Sequence, residues 1–205
     1  MDEQIYVRSR QALHAVAELL IAGPQYRQQG TIRLRAVHQG FGGVLWPVSV
    51  VGAELVWAAG RAPLHGTYRE IGRQAGFEAE APKGVYKDTT GVDPDSVMDI
   101  DPDAARLIGD WFALGDKALR ALAPDVTPVL WPEHFDLSIT IDEVNYGVSP
   151  GDSFHPGPYA YVGPWTPRTG EFWNASFGAF RPRAEVDSAA SLLEFFEQGK
   201  AAAAV

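Results

Sequence analysis

The clearest alternation of polar and apolar positions in the chain runs from His134 to Asp142. His134, Asp136, Ser138, Thr140 and Asp142 are polar, while Phe135, Leu137, Ile139 and Ile141 are apolar. Successive side chains of a strand point to opposite faces, so this spacing predicts a β-strand with one core face and one polar face. Helical spacing appears elsewhere. Leu13, Val16, Ala17, Leu20 and Ile21 predict a helix over 4–22, with His14 at its boundary and Gly23-Pro24 as its stop. Thr67 and Glu70 form a capping box that opens a short helix ended by Gly76. Asp101-Pro102 supplies an N-cap and a first-turn proline for a helix whose apolar stripe runs from Ile108 to Leu122, before Pro124. Asp187-Ser188 caps a last helix through Leu192, Leu193 and Phe196, with Gly199 as its stop.

Further strands are predicted over 31–37, 44–51 and 54–58, with Gly40-Phe41-Gly42-Gly43 as a turn and Pro47 placing the middle run at an edge or bulge. After the 134–142 strand comes a Gly/Ser/Pro loop over 147–158, then strands over 159–164 and 172–180. The expected fold is α+β: two three-stranded antiparallel meanders with flanking helices. The element order α-βββ-α recurs, which suggests a pseudo-twofold repeat. The whole of 1–205 reads as one domain, with halves 1–80 and 100–200 joined by an irregular connection over 77–101. A connection of that length is expected to be a lid or a joint.

Composition narrows the function classes. The 205 residues include six Trp, ten Phe and seven Tyr, enough for a large core. A net charge of −9 without a Lys/Arg run argues against nucleic acid, which needs a concentrated basic surface. There is no cysteine, so disulfides, thiolate nucleophiles and Cys-based metal centres are excluded. The N-terminal MDEQIYVRSRQALH lacks the apolar core of a signal peptide, and no apolar run approaches the roughly 20 residues of a membrane helix. The expectation is a soluble cytoplasmic protein without a membrane partner.

Several motifs imitate chemistry. Gly147-Val148-Ser149-Pro150-Gly151 matches G-x-S-x-G, but Pro150 lacks the N–H that a nucleophile elbow gives to its oxyanion hole, so a turn is predicted. Asp99, Asp101 and Asp103 imitate a calcium loop, but Ala104 stands where that loop needs glycine, and a helix cap is the better account. His134-Phe135-Asp136 places two candidate catalytic groups on one strand face, roughly 7 Å apart. With His155 they imitate a two-histidine, one-carboxylate iron site, which gives a metal-dependent enzyme as one alternative reading. The leading reading is a small polar or aromatic molecule bound on the polar face of the C-terminal sheet. Trp131, Glu133, Asp142, Glu143, Asn145, Tyr146, Tyr159, Tyr161 and Asn174 are its candidate binding residues. The other alternative is a non-enzymatic homodimer joined through the aromatic segment 159–180. No cofactor is specified by any motif.

The segments LWPEHFDLSITIDEVNYGVSPGD, PYAYVGPW, FWNASFGAFRP and AGPQYRQQGTIRLR resemble an uncharacterised family of bacterial hypothetical proteins, over about 9–199. The resemblance implies a single bacterial cytosolic domain. It implies no activity, cofactor or catalytic residue.

Overall fold

The computed structural model describes residues 1–87 and 89–204. In chain order it contains α1 (Glu3–Val16), a π-helical segment (Ala17–Ala22) and α2 (Gly23–Gln29). Strands β1 (Leu34–Val37), β2 (Gly40–Gly43), β3 (Val48–Val51), β4 (Glu54–Trp57) and β5 (Gly60–Pro63) follow, then α3 (Tyr68–Ala75) and α4 (Pro102–Leu122). The chain continues with β6 (Val129–Trp131), β7 (Asp136–Ile141), β8 (Val144–Ser149), β9 (Tyr159–Pro164), β10 (Ala179–Pro182) and α5 (Ala189–Ala203). Among the described residues no helix is long and apolar enough to cross a membrane.

The α+β expectation holds, but two three-stranded meanders do not. The strands form one ten-stranded sheet in the order β10-β9-β8-β7-β6-β1-β2-β3-β4-β5, antiparallel at every pairing. Two five-stranded meanders run outward from the central β1–β6 pair, where Leu34 stands opposite Leu130.

Four strands were hidden by their own composition. The glycines expected to make a turn are β2 itself. A Cβ at Gly42 would lie 2.8 Å from Ser49 Cβ, so glycine permits this close pairing. Gly109 of α4 approaches the Gln39–Gly40 backbone with the same lack of clearance. Residues 44–47, expected to be strand, form the β2–β3 loop, and β3 begins directly after Pro47. β5, β6 and β8 are too short or too glycine-rich to alternate visibly. Residues 172–178, also expected to be strand, form only an isolated Ala175–Gly178 bridge, and pairing with β9 begins at Ala179.

Helix ends differ for equally local reasons. Gly23-Pro24 does not stop the first helix. The Gly23 N–H reaches back five residues to the Glu18 carbonyl, and this wider turn accommodates a proline that has no N–H of its own. Gly30, at φ 71°, is the true cap. Gly199 lies inside α5, where a Cβ would meet Val162 Cγ2 at 2.7 Å. The capping box holds as expected: Thr67 Oγ1 accepts from Glu70 N at 3.2 Å, and Glu70 Oε2 accepts from Thr67 N at 2.9 Å.

The helices define the core face. Leu34, Leu130, Leu137, Val148 and Ala160 stand side by side across β1, β6, β7, β8 and β9, all with no exposure. α4 packs along the middle of this face, α5 covers β8 and β9, and α1 lies against α4. Burying such side chains supplies about 25 cal/mol per Å² of apolar area. The opposite face carries Val129, Ser138, Gly147, Tyr161 and Phe180 in register.

Described residues of the 77–101 connection are tied to the rest of the fold by hydrogen bonds. Buried Glu18 accepts from Tyr86 Oη at 2.9 Å and from Thr90 N at 2.8 Å. Leu19 O receives Glu80 N at 3.0 Å, and Gly66 O receives Met98 N at 2.9 Å.

Candidate functional site

The polar face of β7–β9 is the floor of a cleft of about 900 Å³. Asp136 rises from β7, Asn145 and Ser149 from β8, and Tyr159 and Tyr161 from β9. Arg10 and His14 of α1 close one end. Phe154, Trp165 and Phe177, from the loops that flank β9, form the aromatic sides.

Asp136 is the chemical centre of the floor. It is only 8% exposed, Tyr161 Oη donates a short hydrogen bond to its Oδ2, and its Oδ1 has no partner. Burial is the main cause of a pKa raised to about 6, opposed by the Tyr161 hydrogen bond and the nearby His134. The same burial, with the Asp136 charge, pushes Tyr161 well above its ordinary value, so its phenol stays protonated and donates.

Gly147 makes this pair sterically feasible. Tyr161 on β9 faces Gly147 on β8, which faces Ser138 on β7. The phenol lies across β8, and a Cβ at Gly147 would be 2.5 Å from Tyr161 Cζ and 2.6 Å from its Oη. The glycine of the false nucleophile motif therefore serves clearance. Ser149, the serine of that motif, is buried and accepts from Gly151 N at 3.1 Å, but Gly147 to Ser149 belong to β8, so the expected loop begins only at Pro150.

The loop after β8 is held from beneath. Tyr6 Oη donates to Pro150 O at 2.6 Å, Trp111 Nε1 to Ser149 O at 2.9 Å, and Arg10 Nη1 to Pro156 O at 3.2 Å. Asp152 Oδ1 accepts from Phe154 N at 2.7 Å and His155 N at 3.1 Å, while its Oδ2 accepts from Tyr159 Oη at 2.6 Å. Phe154 is thereby fixed at the cleft side, edge-on to Phe177 at 4.9 Å between centroids.

At the α1 end, His14 stacks on Phe135 at 5.3 Å, and its Nε2 meets Pro132 O at 2.6 Å. A carbonyl accepts only, so Nε2 carries the proton. Burial lowers the His14 pKa, which keeps the ring neutral near pH 7. Phe135 adopts φ 52° and turns its ring into a cluster with Phe41 and Phe112. This corrects the expected start of the long strand: Glu133 and His134 sit in the β6–β7 turn, and β7 begins at Asp136. Glu133 Oε2 is buried there without a hydrogen-bond partner.

Of the candidates named from sequence, Glu133, His134, Asp136, Asn145, Tyr159 and Tyr161 converge on the cleft. Six others do not line it. Asp142 and Glu143 form the exposed β7–β8 turn at φ 50° and 61°. Tyr146 points into the core, edge-on to Phe196. Trp131 lies under the Arg33 guanidinium, and Asn174 bonds to the Phe180 backbone. His155 turns to its own loop, with Nδ1 2.9 Å from Gly157 O. Among the described residues no three His, Asp or Glu stand close enough together to hold a metal ion. Asp101 caps α4, accepting from Asp103 N at 2.9 Å and Ala104 N at 3.0 Å.

Sequence reasoning missed Arg10, Phe154 and Phe177. Arg10 had a readable signal, since Tyr6, Arg10, Leu13 and Ala17 share a helix face, which places a charge in a buried stripe. The loop residues had none. Comparison with family models, with curated proteins and with solved structures finds no match for this chain.

Proposed function

We propose that the cleft over β7–β9 is a binding site for a small polar or aromatic molecule. One observation carries this reading: a carboxylate buried to 8% exposure, with one oxygen unpartnered, lies in the floor of an aromatic-sided cleft of about 900 Å³. A buried polar atom without a partner costs on the order of 1–3 kcal/mol, and structural positions seldom retain that cost. Convergent polar groups between aromatic walls are what small-molecule sites use. Asp136 and His134 are the first residues to test for acid–base chemistry on a bound molecule, because the raised pKa brings Asp136 near neutrality.

The experiment is a ligand-library thermal-shift screen on the wild type and on Gly163→Phe. Gly163 lines the cleft and has room for a Cβ, whose nearest neighbour would be Phe177 O at 3.5 Å. A phenylalanine there fills the cleft without altering charge. Compounds that stabilise the wild type and not the variant support the site. Equal stabilisation of both proteins, or none in either, counts against it.

A second reading rests on the cleft rim, where Trp165 is 63% and Phe154 45% exposed. Exposed aromatics favour an interface, here with a second copy of the chain. Sedimentation of a concentration series tests this: a monomer across the series removes the reading. The matching element order of the two halves also supports a pseudo-twofold repeat of an α-β-α unit.

A further inference from the structure

The floor of the cleft is short of donors. Asp136 Oδ1 and Glu133 Oε2 are both buried acceptors without a partner, contributed by residues on either side of Phe135. Among the described residues neither carboxylate takes part in an ion pair, although both line the cleft. Of the basic groups that line the cleft, His134 acts on Asp136 through space only, with no ion pair between them among the described residues. Arg10 gives Nη1 to two loop carbonyls, of Asp152 at 3.4 Å and Pro156 at 3.2 Å, and Arg168 lies in the exposed outer loop. His14 is held neutral by burial, with its Nε2 committed to Pro132 O. Tyr161 satisfies only the other Asp136 oxygen.

Resting on the reading of the cleft as a small-molecule site, we infer that its ligand carries a cationic, N–H-rich head, an amidinium, guanidinium or amine, on a flat apolar body. The head supplies the donors that Glu133 and Asp136 lack, and a charge-assisted bond to a carboxylate is roughly twice as strong as a neutral one. Each carboxylate turns to present its shielded oxygen to the head. The body lies between Tyr159, Tyr161 and Phe177, whose ring faces also favour a nearby cation. A carboxylate-headed molecule meets the opposite situation, since its own oxygens would face two anions across a poorly solvated floor.

Three molecules of one shape separate these cases: benzamidine, benzamide and benzoate, titrated into fluorotryptophan-labelled protein with the Trp165 resonance assigned through Trp165→Phe. The expected result is that benzamidine shifts the Trp165 signal at least about tenfold more tightly than benzamide, with benzoate weakest. Glu133→Gln, in a turn at the cleft end, should weaken benzamidine several-fold and leave benzamide unchanged. Preferential binding of benzoate or benzamide overturns the cationic head while leaving the cleft as a binding site. Binding of all three with equal affinity, or indifference of benzamidine to Glu133→Gln, also overturns the inference alone. No response to any of the three overturns the inference and weighs against the site as well.

Discussion

Asp136 makes the folded protein sensitive to pH in a direction that can be worked out. Its pKa is raised from 3.8 to about 6 by burial, so the folded state binds this proton more tightly than the unfolded state. The resulting stability is fully present below the unfolded value and is lost as pH rises through about 6. A shift of this size corresponds to roughly 3 kcal/mol. Denaturant unfolding of the wild type and Asp136→Asn checks it. The variant should be about 2 kcal/mol more stable than the wild type at pH 8, with that advantage shrinking toward pH 4. A variant that is less stable at pH 8 would show that the carboxylate is structural. Tyr161→Phe should act oppositely on the titration, because removing the donor that holds the pKa down raises the Asp136 midpoint further. It should also destabilise the fold by about 1–3 kcal/mol through the second unpartnered oxygen. Gly147→Ala should reproduce that rise by displacing the phenol, which carboxyl-detected NMR would record.

At the level of elements, close approach is bought with glycine. A Cβ at Gly115 of α4 would collide with Val148 Cγ2 and lie 3.1 Å from Cγ1. Gly115→Ala gains helix propensity of about 1 kcal/mol but overpacks the helix–sheet contact by roughly 1–3 kcal/mol. A net loss is expected in thermal unfolding, and Val148→Ala should recover part of it in a double-mutant cycle. The starts of α3, α4 and α5 were legible from sequence because caps are local signals: Thr67, Asp101 and Ser188 fall where expected. β7 and β9 were legible for the same reason, from alternation over six residues each. β2 was not, since Gly40–Gly43 carries the composition of a turn, and only the proximity of Ser49 and α4 explains its glycines. The loop clamp was equally hidden. Arg10→Met should remove both carbonyl bonds and raise amide exchange across 151–158, with little change in the far half of the sheet.

For the whole molecule, pairing of Leu34 with Leu130 joins the two meanders into one sheet, with α4 and α5 packed over its core face. The opposite face of the C-terminal half is left to the β9-flanking loops, and the cleft forms between them and the polar row of β7–β9. The parity of the 134–142 run correctly put Leu137 and Ile139 in the core and Asp136 on the cleft side, but Ser138, Thr140 and Asp142 do not line the cleft. It could not reveal that Phe135 leaves the strand, nor which distant residues close the site, because these depend on contacts more than a hundred residues apart in sequence, such as Arg10 with Pro156.

The central claim is that Asp136 is a buried carboxylate facing a ligand. The most direct measurement is a carboxyl-carbon NMR titration of Asp136, free and with a compound from the thermal-shift screen. The account predicts a midpoint near 6 in the free protein, displaced when the compound binds. A midpoint near the ordinary 3.8, unmoved by any such compound, would contradict it.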